Sequence, residues 1–242
     1  MKNNIENKVI QVIDDPFDVQ DVDIVPDIED KRLTFGNTGL RFKATVLYID
    51  MRGSTALLNK HNRTTTAKLH MAYFHTIVTI ANANGGSVRS FNGDGMLVFF
   101  QGNTKQVMST AVKSAMQMVY MLTHSDSKVR QKLEKYSALD FGIGIDHGNI
   151  LCTKAGKSGS NNRDLIWLGN AVNKSVKIGD KLSSPNRIGI SNYVHYNLLD
   201  WAKFSSKKDF WGNPISMWEQ DSHSYNDSWE DYYYTNYYWE VI

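Results

Sequence analysis

Cysteine is nearly missing from this sequence: Cys152 is the single one in 242 residues. No disulfide framework can form within the chain, and the composition suits a reducing, cytoplasmic setting. An excess of either charge is missing too. Lys and Arg number 27 against 25 Asp and Glu, a formal net charge of +2, so no general affinity for polyanions is encoded. No apolar run approaches the roughly 18 residues that span a bilayer. The opening Met1-Lys-Asn-Asn-Ile-Glu lacks a signal-peptide core. No repeat and no low-complexity linker occurs before residue 200. What is present is 41% hydrophobic residues, enough for a sizeable core in one domain with extensions.

Three regions follow from composition: an acidic arm (1–41), a central domain (42–200) and an aromatic-rich C-terminal extension (201–242). In the arm, Asp14, Asp15, Asp18, Asp21, Asp23, Asp27, Glu29 and Asp30 punctuate apolar residues, and Pro16 and Pro26 break any helix. It reads as irregular chain packed on the main domain, with a wrap around a second subunit as the alternative.

In the central domain, residues 44–50 read as a buried strand ending on Asp50. Residues 64–83 have helical spacing, with Leu69, Tyr73, Ile77 and Ile80 on one stripe, and Asn84-Gly85-Gly86 ends them. Residues 87–92 and 96–100 flank Gly93-Asp94-Gly95 as a hairpin, because such residues accept the positive φ of a tight turn. Residues 104–123 form a second amphipathic helix, with Val107, Ala111, Ala115, Met118 and Leu122 inward. Residues 138–146 and 149–154 read as a strand pair turning at His147-Gly148. A Gly/Ser/Asn-rich loop (155–163), a helix (169–182), a strand (187–190) and a short helix (191–199) complete the domain. Strands, hairpins and helices in this order predict an α+β fold, an α/β sandwich with a mixed sheet. Beyond residue 200 lie five of the six tryptophans and a tyrosine cluster (232–234, 237, 238), with few cations after Lys208. A nucleic-acid platform needs those cations. Packing across the domain or between subunits is expected, with a sensing appendage as the alternative.

Two pairs of residues carry chemistry. Asp50 ends a strand and Asp94 sits in a hairpin turn able to lie beside it. Converging carboxylates suit two Mg²⁺ or Mn²⁺ ions. Met51, Arg52, Gly53, Ser54 and Thr55 follow Asp50 and offer backbone donors, with Arg52 as a cation, to a triphosphate. Taken singly, Asp50 also reads as a helix N-cap and Asp94 as an ordinary turn residue. Asn173 and Lys177, spaced i,i+4, share one helix face, while Ala171, Ser175, Ile178 and Leu182 form the opposite stripe. Alone, they are also ordinary surface residues.

Together, Asp50-Met-Arg-Gly53, Asn92-Gly-Asp94-Gly95, Gly142-Ile-Gly-Ile-Asp-His147-Gly148 and Gly169-Asn-Ala-Val-Asn173 resemble the class III nucleotidyl cyclases over about residues 42–200. The resemblance implies a ferredoxin-like mixed sheet and a head-to-tail homodimer with active sites at the interface. It implies that Asp50 and Asp94 of one protomer bind two Mg²⁺ or Mn²⁺ ions, and that Asn173 and Lys177 of the other are catalytic. The implied reaction is attack of the ribose 3′-oxygen on the α-phosphate, with release of pyrophosphate.

The departures point to a different base. Ser90 stands where purine cyclases usually have Lys, and Ile166 where they have Asp, Thr or Cys. Lys177 replaces the usual Arg, keeping the charge and losing the planar fork. With Arg163-Asp-Leu-Ile-Trp-Leu-Gly169 and the aromatic C-terminus, the chain resembles the Pycsar antiphage pyrimidine cyclases. The implied substrate is UTP, with CTP next. The alternatives are a purine (ATP or GTP) cyclase and a catalytically inactive cyclase-like nucleotide sensor.

Tyr48 is two residues before Asp50, so both point to one face of the strand. With Trp167 opposite, it can shrink a base pocket to pyrimidine size; as core aromatics, the two would line no pocket. Arg89 and Ser90 should face opposite ways, with Ser90 toward the nucleotide. The full expected nucleotide set is Tyr48, Met51 to Thr55, Ser90, Gly93, Ile166 and Trp167.

Overall fold

The computed structural model describes residues 1–157 and 162–241, apart from the Asn92 side chain. The chain runs α1 (Lys2–Asp14), β1 (Asp18–Asp21), β2 (Thr38–Arg52), α2 (Ser54–Lys60), α3 (Arg63–Ala83), β3 (Ser87–Asn92) and β4 (Gly95–Gln101). It continues through α4 (Lys105–Thr123), α5 (Lys128–Leu133), β5 (Asp140–Gly156), β6 (Arg163–Leu168), α6 (Asn170–Asp180), β7 (Ile188–Ser191) and α7 (Asn192–Tyr196). The last elements are α8 (Asp200–Lys203), β8 (Phe204–Lys208), β9 (Pro214–Ser216), β10 (Glu219–Tyr225) and β11 (Ser228–Thr235). Among the described residues, one mixed sheet has the order β10-β11-β7-β5-β2-β4-β3, with β1 pairing β2 and β6 pairing β5. This is the expected α+β fold. No helix among the described residues is long and apolar enough to cross a membrane.

Alternation along β2 separates two sides. Leu47, Ile49 and Met51 enter a core shared with α3 and α4. There the stripe Leu69, Tyr73, Ile77 and Ile80 and the α4 residues Ala111, Ala115, Met118 and Leu122 are buried, with Val107 packed against them. Each large aliphatic so buried contributes about 1.5–3 kcal/mol. Both helices begin on side-chain caps: Asn62 accepts from the Thr65 N–H, and Thr104 from the Val107 N–H at 3.2 Å. On the other side, Phe42, Ala44 and Val46 join Phe99, Ile150, Cys152 and Trp167 in a second core.

That second side is shaped by missing side chains. A Cβ on Gly144 would overlap the Ser175 carbonyl oxygen, and one on Gly142 would overlap those of Gly179 and Leu182. The alternate glycines of Gly142-Ile-Gly therefore let the α6 backbone rest directly on β5.

Two expectations are corrected. The arm is not irregular throughout: α1 forms ahead of Pro16, and none of its residues is buried. Pro16 lies beyond the helix and bounds it. Farther along, Val25 and Leu33 do pack into the second core. The chain does not turn at His147-Gly148, because β5 passes through both without interruption, pairing Thr45 with His147 and Ala44 with Gly148. Gly148 supplies clearance beneath α6, where a Cβ would stand 3.4 Å from that of Ala171. The real hairpin partner of β5 is β6. Ser158 to Asn161 of the loop between them lie outside the described residues. The C-terminal hairpin β10–β11 joins the main sheet through β11 and β7, and its turn residues Asn226 and Asp227 have φ of 48° and 60°, as a primed turn requires.

Candidate active site

Asp50 lies near the end of β2 in the cross-strand row Asn92, Gly95, Asp50, Gly142. The β3–β4 turn, with Gly93 at φ 65°, carries Asp94 beside it. The pairing is felt electrostatically. Burial holds the Asp50 carboxyl above its usual range, the Asp94 charge raises it further and Asp180 adds to this, while Arg52 and the Tyr48 hydroxyl oppose the shift. The Tyr48 hydroxyl lies beside Asp50 over Gly95, and its pKa is raised by burial first and then by the Asp50 charge. Its ring crosses Gly95, where a Cβ would stand 2.7 Å from the hydroxyl oxygen. Glycine at that position leaves room for the phenol next to the carboxylate, whose Oδ1 a Cβ would approach to 3.0 Å.

Arg52 is engaged within its own chain. Nη1 lies 3.0 Å from Asp50 Oδ2, Nε donates to the Leu182 carbonyl at 3.1 Å, and Nη2 donates to the Gly179 carbonyl. The guanidinium thus caps the C-terminal end of α6, where a cation is favoured, and ties that end to Asp50. The expected cation for a triphosphate has other partners. Asp180, missed in the sequence, lies 3.7 Å from the same Nη1. An acid at a helix C-terminus opposes the helix dipole, and that misfit was the available signal.

Asn173 and Lys177 both project from the exposed side of α6, while Ala171, Ser175 and Ile178 are buried against the sheet. Within one chain they point away from the face that carries Asp50. Lys177 lies over the Tyr225 ring, 5.6 Å from its centroid.

The remaining expected residues separate. Met51 is buried in the α3/α4 core. Gly53, with φ 69°, starts α2, and Ser54 and Thr55 form its first turn. Ser90 shares a cross-strand row with Leu97 and Tyr48, on the Asp50 side. Arg89 does not simply face the other way: the register slips between Val88 and Ser90, a bulge, and the guanidinium reaches the Pro26 and Val25 carbonyls. Trp167 is a core aromatic, its ring 4.6 Å from Phe99 and 6.2 Å from Phe42. Ile166 is 42% exposed and pairs with Thr153, whereas Tyr48 pairs with Gly144. Nine residues along β5 correspond to about 30 Å, so one chain does not bring Ile166 to Tyr48. His147 lies mid-strand, with Nδ1 3.1 Å from Thr45 Oγ1 and Nε2 2.8 Å from Asn103 Oδ1. Burial and then Lys43 push its pKa down to about 4.

Residues 41–213 match the model of the adenylate and guanylate cyclase catalytic domain. The chain belongs to the class III nucleotidyl cyclases. Among curated relatives of this cyclase, the uridylate cyclase of Xanthomonas perforans is 31% identical over 209 residues, covering 85% of this chain and 87% of the relative. That of Burkholderia cepacia is 26% identical, covering 88% and 91%. Among solved structures, the adenylyl cyclase CyaB from P. aeruginosa superposes with a TM-score of 0.64 at 20% identity, covering 81% of this chain and 94% of that one.

The cyclase's acidic site suits a divalent ion. Among the described residues no group of three or more His, Cys, Asp or Glu side chains forms a self-contained metal cage. Two carboxylates side by side are left instead, Asp50 with its ionisation opposed by burial and by the Asp94 charge, a hard-oxygen donor set that suits Mg²⁺ or Mn²⁺ completed by substrate phosphates and water.

Proposed function

We propose that this cyclase converts UTP to 3′,5′-cyclic UMP and pyrophosphate, as a homodimer with each site shared between protomers. The observation that carries the reading is the convergence of Asp50 and Asp94 at one sheet end, where burial and then the Asp94 charge oppose ionisation of Asp50. Asp50 and Asp94 hold the two metal ions, which when bound supply positive charge to the triphosphate oxygens. Asn173 of the facing protomer orients the ribose, and its Lys177 meets the charge that develops on the α-phosphate. The 3′-oxygen forms the new bond to the α-phosphorus, the α–β bridging bond breaks, pyrophosphate leaves and the hydroxyl proton passes to solvent. The outward placement of Asn173 and Lys177 supports a shared site, because within one chain they turn from Asp50.

The choice of uracil is supported by the uridylate cyclase names of the relatives. Ser90 and Tyr48 share the row above Asp50 and are the base-facing residues of this reading. As the resemblance to Pycsar cyclases implies, the product serves as a second messenger in antiphage defence. Purified protein with Mn²⁺ and each of four radiolabelled nucleoside triphosphates tests this. Cyclic UMP from UTP is the expected product. Product from CTP alone reassigns the base, product from ATP or GTP alone overturns the pyrimidine reading, and no product from any of the four overturns the enzyme.

A further inference from the structure

The α6 lysines stand over an aromatic floor built by the C-terminal hairpin. Tyr225 closes β10 at the Asn226-Asp227 turn, and its side chain is buried although it belongs to a hairpin tip. The ring lies beneath two cations, Lys174 Nζ at 5.0 Å from its centroid and Lys177 Nζ at 5.6 Å. Two ammonium groups sharing one ring repel each other. Glu230, on the returning strand β11, resolves this by pairing with Lys174 at 2.6 Å. Among the described residues no carboxylate pairs with Lys177. The hairpin thus neutralises one lysine, leaves the other charged and exposed, and gives it a face to rest on.

We propose that Tyr225 is a positioning residue for Lys177, holding its ammonium group where the α-phosphate of the facing site develops charge. The inference rests on the reading of Lys177 as the transition-state cation. An Arg in that role sets its own direction through a planar fork, whereas Lys is a point charge on a flexible stem. A substitution of Arg by Lys leaves orientation to the surroundings, and a buried ring under the ammonium supplies it by cation–π attraction. The β10–β11 hairpin then belongs to the catalytic machinery of the neighbouring site.

The test compares Tyr225→Leu, which removes the ring, with Tyr225→Phe, which keeps it. Both are checked for unchanged dimer mass and assayed below their melting temperatures. Tyr225→Leu should lower kcat about tenfold, equivalent to about 1.4 kcal/mol, with KM for the nucleotide within about twofold. Tyr225→Phe should stay near wild type. Equal losses in both variants, or a loss confined to KM, overturn the proposal, as does unchanged kcat in Tyr225→Leu. Lys177→Ala separates this from the underlying reading. Full turnover in Lys177→Ala removes the cation assignment and the proposal with it. If Lys177→Ala retains a small measurable rate, Tyr225→Leu should add nothing in that background, and a further tenfold loss there overturns the proposal. If that rate is undetectable, the contrast between Leu and Phe decides.

Discussion

The two faces of β2 and β5 solve opposite problems. Toward α3 and α4, Leu47, Ile49, Ile143 and Ile145 are fully buried aliphatics that fill space. Toward α6, the same strands present Gly142, Gly144, Tyr48 and Asp50, residues that leave space or hold charge. The first face is damaged by removing atoms and the second by adding them. One strand pair thus stores stability on one side. On the other it accepts a part-buried, repelled carboxylate, which is a cost in stability and an asset in chemistry.

The largest effect expected from this contrast is on turnover. Asp50→Ala and Asp94→Ala should each lower kcat by about 10³-fold or more, at least ~4 kcal/mol of barrier, with the folded dimer intact. Ile49→Ala, one residue from Asp50 on the other face, should cost about 2–5 kcal/mol of unfolding free energy and leave kcat of the folded fraction within a few-fold. Turnover by either alanine variant at the wild-type rate would remove the metal assignment.

Next in size is an exchange of failure modes along β5. Gly144→Ala places a methyl against the α6 backbone at Ser175 and Gly179. Backbone cannot rotate away, so urea denaturation should show a loss of about 3 kcal/mol. Activity should fall with it, because α6 carries Asn173 and Lys177. Gly148→Ala, four residues along the same face, meets only the Ala171 methyl at 3.4 Å and should be close to neutral. Ile143→Ala should lose a similar amount to Gly144→Ala by creating a cavity instead. Similar behaviour of Gly144→Ala and Gly148→Ala would show that α6 is free to lift.

The filled face was readable in the sequence because hydrophobic period reports burial directly: the stripes of α3 and α4 are buried as spaced. The carboxylate pair was readable because an Asp at a strand end and an Asp in a Gly-flanked turn each follow local rules. What escaped depends on contacts across the fold. The glycine-containing stretch Gly142 to Gly148 resembles a turn by composition, and only α6 lying on it explains why β5 runs straight. Arg52 is next to Asp50 in sequence, but its tie to Gly179 and Leu182 spans some 130 residues and has no local signature. Arg89 broke the expected alternation because a bulge is a tertiary accommodation to the Val25–Pro26 segment. Trp167 gave no local sign of choosing core over pocket. The helix α1 precedes both Pro16 and Pro26, so these prolines bound it and do not break it.

The smallest expected effect is also the most direct reading of the comparison, since it alters one atom type. Asp50→Asn keeps the shape of the side chain and removes its charge. The native Asp50 carboxyl is raised above an ordinary value of 3.8 by burial and by Asp94. Below pH 3.8 both folded and unfolded chains hold the proton, and ionisation costs the fold nothing. As pH climbs through the raised native value the unfolded chain ionises more readily, so the native state loses stability, and above that value the cost is complete. At pH 7 without metal, Asp50→Asn should therefore be more stable than wild type, seen as a higher melting temperature. The gap should close as pH falls toward 3.8. Added Mn²⁺ should reverse the order, because an ion bound only by the native wild type stabilises it by mass action, about 2.7 kcal/mol at 100 times its Kd, and the amide offers no equivalent ligand. A variant less stable than wild type at pH 7 in the absence of metal would mean that Arg52 more than compensates the Asp94 charge. The polar face would then be stabilising in its own right, and the opposition between the two faces would dissolve.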